Sequence, residues 1–449
     1  MKYDLVVIGA GPGGFDCAVQ AAGLGLKTAL VERDALGGTC LNRGCIPTKL
    51  MLGATSAIEE LHAQNKVKVA EGEIRVDWAA LQDRKDKLLA GTRKAMAARL
   101  QAAGVDLYDG CARIAGPGRV EVSAETASVV LEYADLVVAT GCCPTSFPGL
   151  APDGEAVLDS DGFLALRTMP ESLIVIGAGF IGLEMAQAAH RMGAKIFLFD
   201  ALDRVASLED PEVSKALQST FRRWKWDVRT GVKVASVVTK EGRALLTLDD
   251  GTEVEAEKAL IAVGRRPNTR GLGLEALGAE LLGPGWIKTG DDLRAAEHVY
   301  VVGDANGRIQ LAHAASHHAR YVALRLAGKT DAPYAHGPIP SVLYGSPECV
   351  RVGRMPAELE KDGLEWKVST AQWAANPIAQ AHAATQGFVK VVWSQGRVVG
   401  VTAVGHDASR FCTAASIMVQ EGWTRERATE LIFAHPTLDE ALMHALAGE

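Results

Sequence analysis

The 449-residue sequence has little cysteine, no long apolar run and no excess of positive charge. Eight cysteines in a chain of this length do not make a secreted disulfide scaffold. Because no run of 18 apolar residues is present, no transmembrane helix is predicted. The net charge of −7 argues against nucleic acid or an anionic membrane as the main partner. The first residues enter a strand pattern without a signal-peptide core, so we expect a cytoplasmic protein.

What the sequence does contain is the apolar and charged content of a globular protein. Hydrophobic residues make up 48% of the chain and charged residues 22%. A chain of this length is expected to form about two to four domains, each with a well-developed core.

The N-terminus carries a strand, a glycine-rich turn, a helical segment and a second strand. Residues 3–8 are typical of a buried parallel strand, and Gly9, Gly11 and Gly14 follow it. These glycines permit a tight turn, a close approach of a pyrophosphate and close packing of helix on strand, respectively. The second strand ends at Glu32, whose carboxylate can accept hydrogen bonds from a ribose diol. This order predicts a dinucleotide site.

The same order repeats in the middle of the chain. Gly177, Gly179 and Gly182 precede a helical segment and a strand that ends at Asp200. Asp200 favours a ribose 2′-hydroxyl and repels a 2′-phosphate, whereas NADP sites typically gather several arginines. Arg204 alone is weak support for NADP, so NAD is predicted for this second unit.

Two cysteines, Cys40 and Cys45, stand five positions apart at a predicted helix start. In a regular helix their Cα atoms would lie roughly 8 Å apart, whereas a disulfide needs less than about 7 Å. A bridge therefore requires a distorted first turn, which Gly44 permits. The helix start lowers the pKa of a thiol, and Lys49 follows Cys45 by one turn. From these residues alone, two structural loop cysteines are an equally good interpretation.

Two further features are less specific. Asp304 ends a predicted strand over residues 298–304, and ligands of open α/β sheets collect at that end. A helix predicted to begin near Leu311 offers free backbone N–H groups to a ring carbonyl, although a capping role for Asp304 is the alternative. Cys142 and Cys143 are adjacent but have no histidine or cysteine near them in sequence. We predict inert thiols in a loop there, and no metal site.

The last 110 residues change character after a proline-rich linker. Five strand-like runs between 341 and 404 and helical stretches at about 407–421 and 436–446 predict an antiparallel sheet with helices. Pro436 suits the first position of a helix, which leaves His435 projecting before it and Glu440 able to orient the imidazole. A capping histidine and a solvent-facing carboxylate are the simpler alternative.

Taken together, these motifs resemble the pyridine nucleotide–disulfide oxidoreductases, most closely the dihydrolipoamide dehydrogenases, over essentially the whole chain. The redox run with both cysteines is highly specific, and the C-terminal histidine motif is specific once paired with it. The segments that carry the resemblance are the two glycine motifs, Gly38 to Lys49, Ala139 to Gly141, Gly303-Asp304, Ile339 to Ser341, Pro347-Glu348 and His435 to Glu440.

The resemblance implies an α/β fold with two Rossmann-like dinucleotide-binding domains and a C-terminal α+β dimerisation domain. The FAD domain would comprise residues 1–145 and 270–336, the NAD domain 146–269 and the dimerisation domain 337–449. A homodimer is implied, with the active site shared across its interface. Its protein partner would be the lipoyl domain of a 2-oxo acid dehydrogenase or glycine cleavage-type complex.

The implied activity is NAD-dependent oxidation of protein-bound dihydrolipoamide through FAD and a Cys40–Cys45 redox disulfide. In this resemblance Cys40 exchanges with the substrate, Cys45 stands beside the flavin, and His435 of the partner subunit is the base. The implied catalytic residues are Cys40, Cys45, Lys49, Glu184, His435 and Glu440.

The resemblance also assigns residues to the two cofactors. FAD would be bound by Gly9, Gly11, Gly14, Glu32, Gly38, Thr39, Lys49, Ala112, Thr140, Gly141, Asp304, Leu311, Ala312 and His313. NAD would be bound by Gly177, Gly179, Gly182, Asp200, Val234 and Gly264.

Four positions depart from the family pattern: Phe180, Ile378, Arg410 and Phe433. These departures put the identity of the substrate in question more than the reaction class.

A glutathione reductase-like enzyme that uses NADPH is one alternative function, which Asp200 and the Pro347-Glu348 segment disfavour. A redox-idle FAD- and NAD-binding scaffold is another, which the intact catalytic set disfavours.

Overall fold

The computed structural model describes residues 1–124 and 128–448, which form two compact units. Each unit is built from three stretches of chain. Unit 1 comprises Met1–Thr48, Gln82–Thr145 and Gly264–His336, and unit 2 comprises Lys49–Leu81, Ser146–Val263 and Gly337–Glu449. Among the described residues, no helix has the length and apolar character needed to cross a membrane.

The first 145 residues begin with the predicted strand–turn–helix–strand unit. The elements are β1 (Lys2–Ile8), α1 (Pro12–Gly23), β2 (Thr28–Glu32), α2 (Gly38–Arg43), α3 (Cys45–Lys66), α4 (Trp78–Ala102), β3 (Asp106–Asp109), β4 (Cys111–Gly116), β5 (Arg119–Ser123), β6 (Ser128–Val138) and β7 (Cys142–Pro144). Leu5, Val6 and Val7 of β1 are fully buried, as expected of a parallel strand covered on both faces.

Residues 146–263 repeat this organisation. The elements are β8 (Val157–Leu158), α5 (Ser160–Ala165), β9 (Ser172–Ile176), α6 (Phe180–Arg191), β10 (Lys195–Asp200), α7 (Pro211–Arg223), β11 (Asp227–Thr230), β12 (Val234–Lys240), β13 (Arg243–Leu248), β14 (Glu253–Ala256) and β15 (Lys258–Ile261). The succession β9–α6–β10 confirms the predicted second unit of strand, glycine turn, helix and acid-terminated strand.

Residues 264–336 return the chain to unit 1. The elements are β16 (Arg265–Pro267), β17 (Leu281–Leu282), β18 (Trp286–Ile287), β19 (Arg294–Ala296), β20 (Val299–Val301) and α8 (Ala312–Leu326), with 3₁₀ helices at Leu274–Leu277 and Gly303–Asn306. The predicted strand over 298–304 is shorter than expected, and Asp304 lies in the 3₁₀ helix after it.

The expectation that Cys142 and Cys143 lie in a loop is wrong. They form β7, which pairs antiparallel with β16 so that Cys142 stands opposite Pro267 and Cys143 opposite Arg266. The sequence around the cysteines gave no sign of this strand, because its hydrogen-bonding partner enters from a distant part of the chain.

The main sheet of unit 1 has the order β19-β20-β6-β1-β2-β3. Strand β1 is parallel to both β2 and β6, with Ile8 opposite Val31 on one side and Val138 on the other. Val301 of β20 also pairs with Val138 in parallel register. The carboxyl ends of these strands therefore lie along one edge, where ligands of open α/β sheets bind.

The parallel sheet of unit 2 has the order β11-β10-β9-β15-β8. Its central strand ends at Ile176, opposite Phe199 of β10 and Ile261 of β15. A separate antiparallel sheet, β12-β13-β14, follows in the same unit. The glycine turn after β9 therefore stands at a carboxyl edge like that of unit 1.

The C-terminal stretch forms an antiparallel sheet of order β21-β22-β25-β24-β23. The elements are β21 (Ser341–Leu343), β22 (Glu348–Gly353), α9 (Pro356–Lys361), β23 (Lys367–Gln372), α10 (Pro377–Ala381), β24 (Phe388–Ser394), β25 (Arg397–Gly405), α11 (Cys412–Glu421), α12 (Arg425–Thr429) and α13 (Asp439–Ala447), with 3₁₀ helices at Trp373–Ala375 and Ala408–Phe411. The two sheets with parallel cores and the antiparallel C-terminal sheet confirm the predicted fold class. The three-domain boundaries stay a prediction.

Candidate active site

The two cysteines of the predicted redox pair lie on either side of a helix break. Cys40 belongs to α2, and Cys45 is the first residue of α3. Gly44 separates the helices, and a Cβ at this position would lie 3.0 Å from the Thr39 carbonyl oxygen. The expected interruption of the helix at Gly44 is therefore confirmed. Cys45 is exposed and Cys40 half-buried, and the N–H groups at the start of α3 favour a thiolate.

A buried carboxylate faces the lysine that follows Cys45 by one turn of α3. Lys49 Nζ donates to Glu184 Oε2 at 2.6 Å, and the Tyr344 backbone N–H donates to Glu184 Oε1 at 3.0 Å. Burial raises the pKa of Glu184, and the Lys49 ammonium opposes that rise. The side chain of Glu184 is only 6% exposed. The two side chains predicted to pair are thus in contact.

Two polar side chains that the sequence analysis missed extend the same face of α6. Gln187 Oε1 accepts from the Ser346 backbone N–H at 2.7 Å, and Arg191 Nη2 donates to Ser346 Oγ at 2.7 Å. Arg191 Nη1 also donates to the Leu52 carbonyl oxygen at 3.1 Å. Residues three and four apart share a helix face. The polar residues Glu184, Gln187 and Arg191 have this spacing, and it could have predicted their common face from the sequence. These contacts fix the backbone that hydrogen-bonds Glu184.

The C-terminal motif adopts a different backbone from the one expected. Helix α13 begins at Asp439, so the expectation that Pro436 opens the helix is wrong. The Thr437 backbone N–H donates to Glu440 Oε2 at 2.9 Å, and Thr437 Oγ1 donates to the Ala434 carbonyl oxygen at 2.8 Å. Side-chain hydrogen bonds therefore hold residues 434–438 in a bend before the helix starts.

His435 in this bend and Glu440 in the first turn of α13 form the predicted hydrogen-bonded pair. His435 Nδ1 lies 2.8 Å from Glu440 Oε1. This bond is the main cause that lowers the pKa of Glu440, and an ionised carboxylate only accepts hydrogen bonds. The neutral imidazole therefore carries its proton on Nδ1, which leaves Nε2 as the basic nitrogen. The ring is 74% exposed in the single chain.

Side chains from outside the bend contact it and the start of α13. Asn376 Nδ2 donates to the Thr437 carbonyl oxygen at 2.8 Å, while its Oδ1 accepts from the Ile378 backbone N–H at 2.9 Å. Arg410 Nη2 lies 3.1 Å from Asp439 Oδ2 at the start of α13. Arg410 therefore contacts the start of α13, whereas Ile378 contributes only a backbone N–H that any residue except proline could supply.

In the first glycine motif, backbone groups fix the acidic residue that ends β2. Glu32 Oε2 accepts from the Ala10 backbone N–H at 2.7 Å, and Oε1 accepts from the Arg33 N–H at 2.9 Å. Burial raises the pKa of Glu32, and the bond from Ala10 opposes that rise. A Cβ on Gly14 would collide with the Gly9 carbonyl oxygen, so this close approach requires glycine.

The second motif repeats this geometry. Asp200 Oδ2 accepts from the Ala178 backbone N–H at 2.5 Å, and Oδ1 accepts from the Leu202 N–H at 2.7 Å. The acid and the alanine are separated by 22 residues, as Glu32 and Ala10 are. The repeat predicted from the sequence therefore extends to the hydrogen bonds of the acid.

Arg204, the arginine that follows Asp200 in sequence, is held by hydrogen bonds within the segment that leads to α7. Arg204 Nη1 donates to the Glu209 carbonyl oxygen at 2.8 Å and to Ser214 Oγ at 3.1 Å. Its Nη2 donates to the Ser207 carbonyl oxygen at 2.6 Å. The guanidinium thus stabilises the loop between β10 and α7. Because its N–H groups are used there, they are not directed to a 2′-phosphate, which favours NAD over NADP.

The residues predicted to bind the two cofactors are divided between the two units. Of the residues predicted for FAD, Lys49 lies in unit 2, and the following lie in unit 1: Gly9, Gly11, Gly14, Glu32, Gly38, Thr39, Ala112, Thr140, Gly141, Asp304, Leu311, Ala312 and His313. Of those predicted for NAD, Gly264 lies in unit 1, and the following lie in unit 2: Gly177, Gly179, Gly182, Asp200 and Val234.

The edge of unit 1 fits a polar dinucleotide. A Cβ on Gly11 would meet no atom within 4 Å, and one on Gly9 would lie 3.3 Å from the Thr140 Cα. Thr140 Oγ1 is buried and has no hydrogen-bond partner within residues 1–124 and 128–448. A buried hydroxyl that lacks a protein partner, next to an open glycine turn, suits a bound ligand that accepts or donates a hydrogen bond.

Comparison with known proteins covers the whole chain. Residues 3–319 match the model of the pyridine nucleotide-disulphide oxidoreductases, and residues 339–446 match the dimerisation domain of the same family. The dihydrolipoyl dehydrogenase of Chlorobaculum parvum is 36% identical over 99% of this chain and 96% of the relative. Dihydrolipoyl dehydrogenase 3 of Pseudomonas putida is 34% identical over 99% and 97%, respectively.

Solved structures agree with these matches. LpdA from Mycobacterium tuberculosis superposes with a TM-score of 0.91 at 26% identity, covering 98% of each chain. The flavoprotein disulfide reductase RclA from Escherichia coli, in a Cu(II) complex, shares the fold with a TM-score of 0.90 at 24% identity. This chain therefore belongs to the pyridine nucleotide-disulphide oxidoreductase family, whose members are flavoproteins that bind FAD and NAD.

Proposed function

We propose that this protein is an NAD-dependent dihydrolipoyl dehydrogenase. It converts a dihydrolipoamide dithiol and NAD⁺ into the cyclic disulfide, NADH and a proton. The observation that carries the proposal is the His435–Glu440 pair at 2.8 Å, which provides a base suited to a dithiol substrate. Relatives that carry this enzyme name match 99% of the chain, and they support the same substrate class.

The chemistry begins with proton removal from the substrate. His435 Nε2 accepts the proton of one substrate thiol, and ionised Glu440 stabilises the imidazolium that results. The substrate thiolate attacks Cys40 Sγ and breaks the Cys40–Cys45 bond, so Cys45 leaves as a thiolate at the start of α3. The second substrate sulfur then attacks the substrate sulfur of the mixed disulfide, and its proton passes by way of His435 to the departing Cys40 thiolate. This step releases cyclic lipoamide and leaves both protein sulfurs reduced, Cys40 as a thiol and Cys45 as a thiolate.

FAD, when bound, carries two electrons from the reduced cysteines to NAD⁺. Gly11 and the start of α1 would hold its pyrophosphate, and Glu32 would accept hydrogen bonds from a ribose. Thr140 and Asp304 provide a hydroxyl and a carboxylate for polar groups of the same ligand. Lys49, held in place by Glu184, would supply a positive charge to the isoalloxazine ring. The backbone N–H groups at the start of α8, from Leu311 to His313, would donate to the ring carbonyl, and the Ala112 backbone would hold the adenine.

The C-terminal stretch provides the second half of the site in a homodimer. The match of residues 339–446 to a dimerisation domain and the 74% exposure of the His435 ring support this arrangement. In the dimer, His435 of the partner subunit completes the site that contains Cys40 and Cys45. The protein partner is a lipoyl domain, whose flexible arm carries the dithiol into this shared site. The predicted FAD, NAD and dimerisation domain boundaries belong to the same proposal.

Steady-state turnover of the purified, flavin-containing protein tests the proposal. We expect rapid oxidation of NADH with lipoamide and little turnover of NADPH with glutathione disulfide, assayed on one preparation. The bracing of Arg204 and the carboxylate of Asp200 disfavour the second pair. Turnover of glutathione disulfide alone would contradict the proposal. So would turnover of neither pair by a protein whose flavin is reduced by NADH, because it would point to a different disulfide.

We expect kcat/KM for NADH to exceed that for NADPH by at least about 10²-fold, since like charges brought together cost several kcal/mol. Asp200→Asn removes the charge and should narrow the preference by about tenfold. The matched control is Asp203→Asn, an exposed acid in the same loop, which should leave the ratio unchanged. Equal kcat/KM values for the two nucleotides in the wild type would overturn the assignment of NAD to this site.

A further inference from the structure

Cys142 is a buried thiol that the proposed reaction does not use. It opens β7 and is 2% exposed. Its Sγ lies 2.8 Å from Asp304 Oδ2, although the two residues are 162 positions apart. Arg265 Nε donates to the same sulfur at 2.8 Å, and Arg265 Nη2 donates to the Cys142 carbonyl oxygen at 2.9 Å. The guanidinium, the thiol and the carboxylate thus form one continuous hydrogen-bonded chain.

The direction of these hydrogen bonds follows from burial and charge. Burial raises the pKa of the Cys142 thiol to about 12, so the sulfur keeps its proton at neutral pH. Burial also raises the pKa of Asp304, while the bond from Cys142 and the charge of Arg265 oppose that rise. The thiol therefore donates to the carboxylate, and the sulfur accepts from the guanidinium.

We propose that Cys142 is a positioning residue of the flavin site, where its thiol, held by Arg265, orients the Asp304 carboxylate toward the ribityl hydroxyls of FAD. This inference rests on the proposed function, which places Asp304 at the flavin. With Oδ2 bound to the thiol, Oδ1 is the oxygen assigned to the ligand.

The backbone around Asp304 is already fixed, so its side chain is the part that needs support. The Gly303 backbone N–H donates to His318 Nδ1 at 3.2 Å, and Asp304 itself lies in the short 3₁₀ helix Gly303–Asn306. The thiol reaches the carboxylate from another strand of unit 1, because β7 is held in register by β16. Adjacent residues of a strand point to opposite faces, so Cys143 cannot make the same contact.

Dissociation of FAD from the full-length holoprotein tests this role, followed by the flavin fluorescence that appears on dilution. We expect Cys142→Ala to raise the Kd for FAD by about 10- to 100-fold, the range for loss of a hydrogen bond to a charged group. Cys142→Ser keeps a donor and an acceptor and should stay within about threefold of the wild type. Cys143→Ala, the neighbour on the same strand, is the matched control and should leave the Kd unchanged.

Two further variants separate orientation from folding. In an Asp304→Ala background, Cys142→Ala should add no further loss of FAD affinity, because the acceptor that the thiol orients is gone. If Cys142→Ala does not fold, Cys142→Val fills the position without a donor and should show the same rise in Kd.

The outcomes distinguish this inference from the proposed function. A wild-type Kd in Cys142→Ala or Cys142→Val would overturn the role of Cys142 and leave the proposed function intact. A Ser variant as weak as the Ala variant would overturn the hydrogen bond as the cause. A wild-type protein that binds no FAD would instead contradict the proposed function.

Discussion

Dithiol-dependent turnover is expected to fall by at least about 10³-fold in Cys45→Ser, while reduction of the bound flavin by NADH stays near the wild-type rate. A serine hydroxyl cannot form the disulfide with Cys40, so electrons from the substrate dithiol have no covalent route into the protein. Hydride transfer from NADH to the flavin requires only the two dinucleotide sites and not the cysteines. Stopped-flow absorbance of the flavin measures the second step, and steady-state turnover with lipoamide measures the first.

The chain offers a matched control for this prediction. Cys111 is an exposed cysteine at the start of β4, and Cys111→Ser should leave both rates unchanged. Cys40→Ser should lose dithiol turnover as Cys45→Ser does, because both sulfurs belong to the same bond. Full lipoamide activity in either single variant would remove the Cys40–Cys45 pair from the mechanism.

The second large effect concerns the base. We expect His435→Gln to lower kcat/KM for dihydrolipoamide by about 10²- to 10⁴-fold. Glutamine preserves a polar side chain that Glu440 can bind, but it cannot accept a proton from a thiol. The rate with NADH and an artificial electron acceptor should change little, because that reaction requires no thiol deprotonation.

A histidine on the helix that follows His435 provides the control for this variant. His444 lies exposed in α13, and His444→Gln should leave the dihydrolipoamide rate unchanged. An unchanged rate in His435→Gln would exclude His435 as the base. Co-expression of Cys45→Ser and His435→Gln chains then tests where the base comes from. If the partner subunit supplies it, mixed dimers contain one intact site, and activity should recover to roughly a quarter of the wild type.

The sequence predicted most of what depends on local order along the chain. Both glycine motifs, the acids at Glu32 and Asp200, and the helix break at Gly44 were expected from residue types and spacing alone, and the structure confirms them. Each of these features follows from a short-range rule: a turn that needs glycine, an acid that ends a strand, or a helix interrupted where Cβ is absent.

Features that depend on distant segments were not predictable in the same way. Strand β7 pairs with β16, and Cys142 contacts Asp304, although the paired residues are more than a hundred positions apart. No periodic pattern in the sequence predicts either contact. The start of α13 was missed because side-chain hydrogen bonds by Glu440 and Thr437 replace the first turn that Pro436 suggested. In each case tertiary contacts, and not local sequence preference, determined the backbone conformation.

The hydrogen bonds of Asp200 have a consequence for how this protein could evolve. Both carboxylate oxygens hold backbone N–H groups, from Ala178 and Leu202, and Arg204 is committed to bracing the following loop. A single exchange of Asp200 for a small residue would therefore remove the carboxylate that holds this loop and would not free the guanidinium of Arg204 for a 2′-phosphate. Laboratory selection for use of NADPH should therefore require several loop substitutions at once, because each single substitution lowers the use of NADH before NADPH is used well.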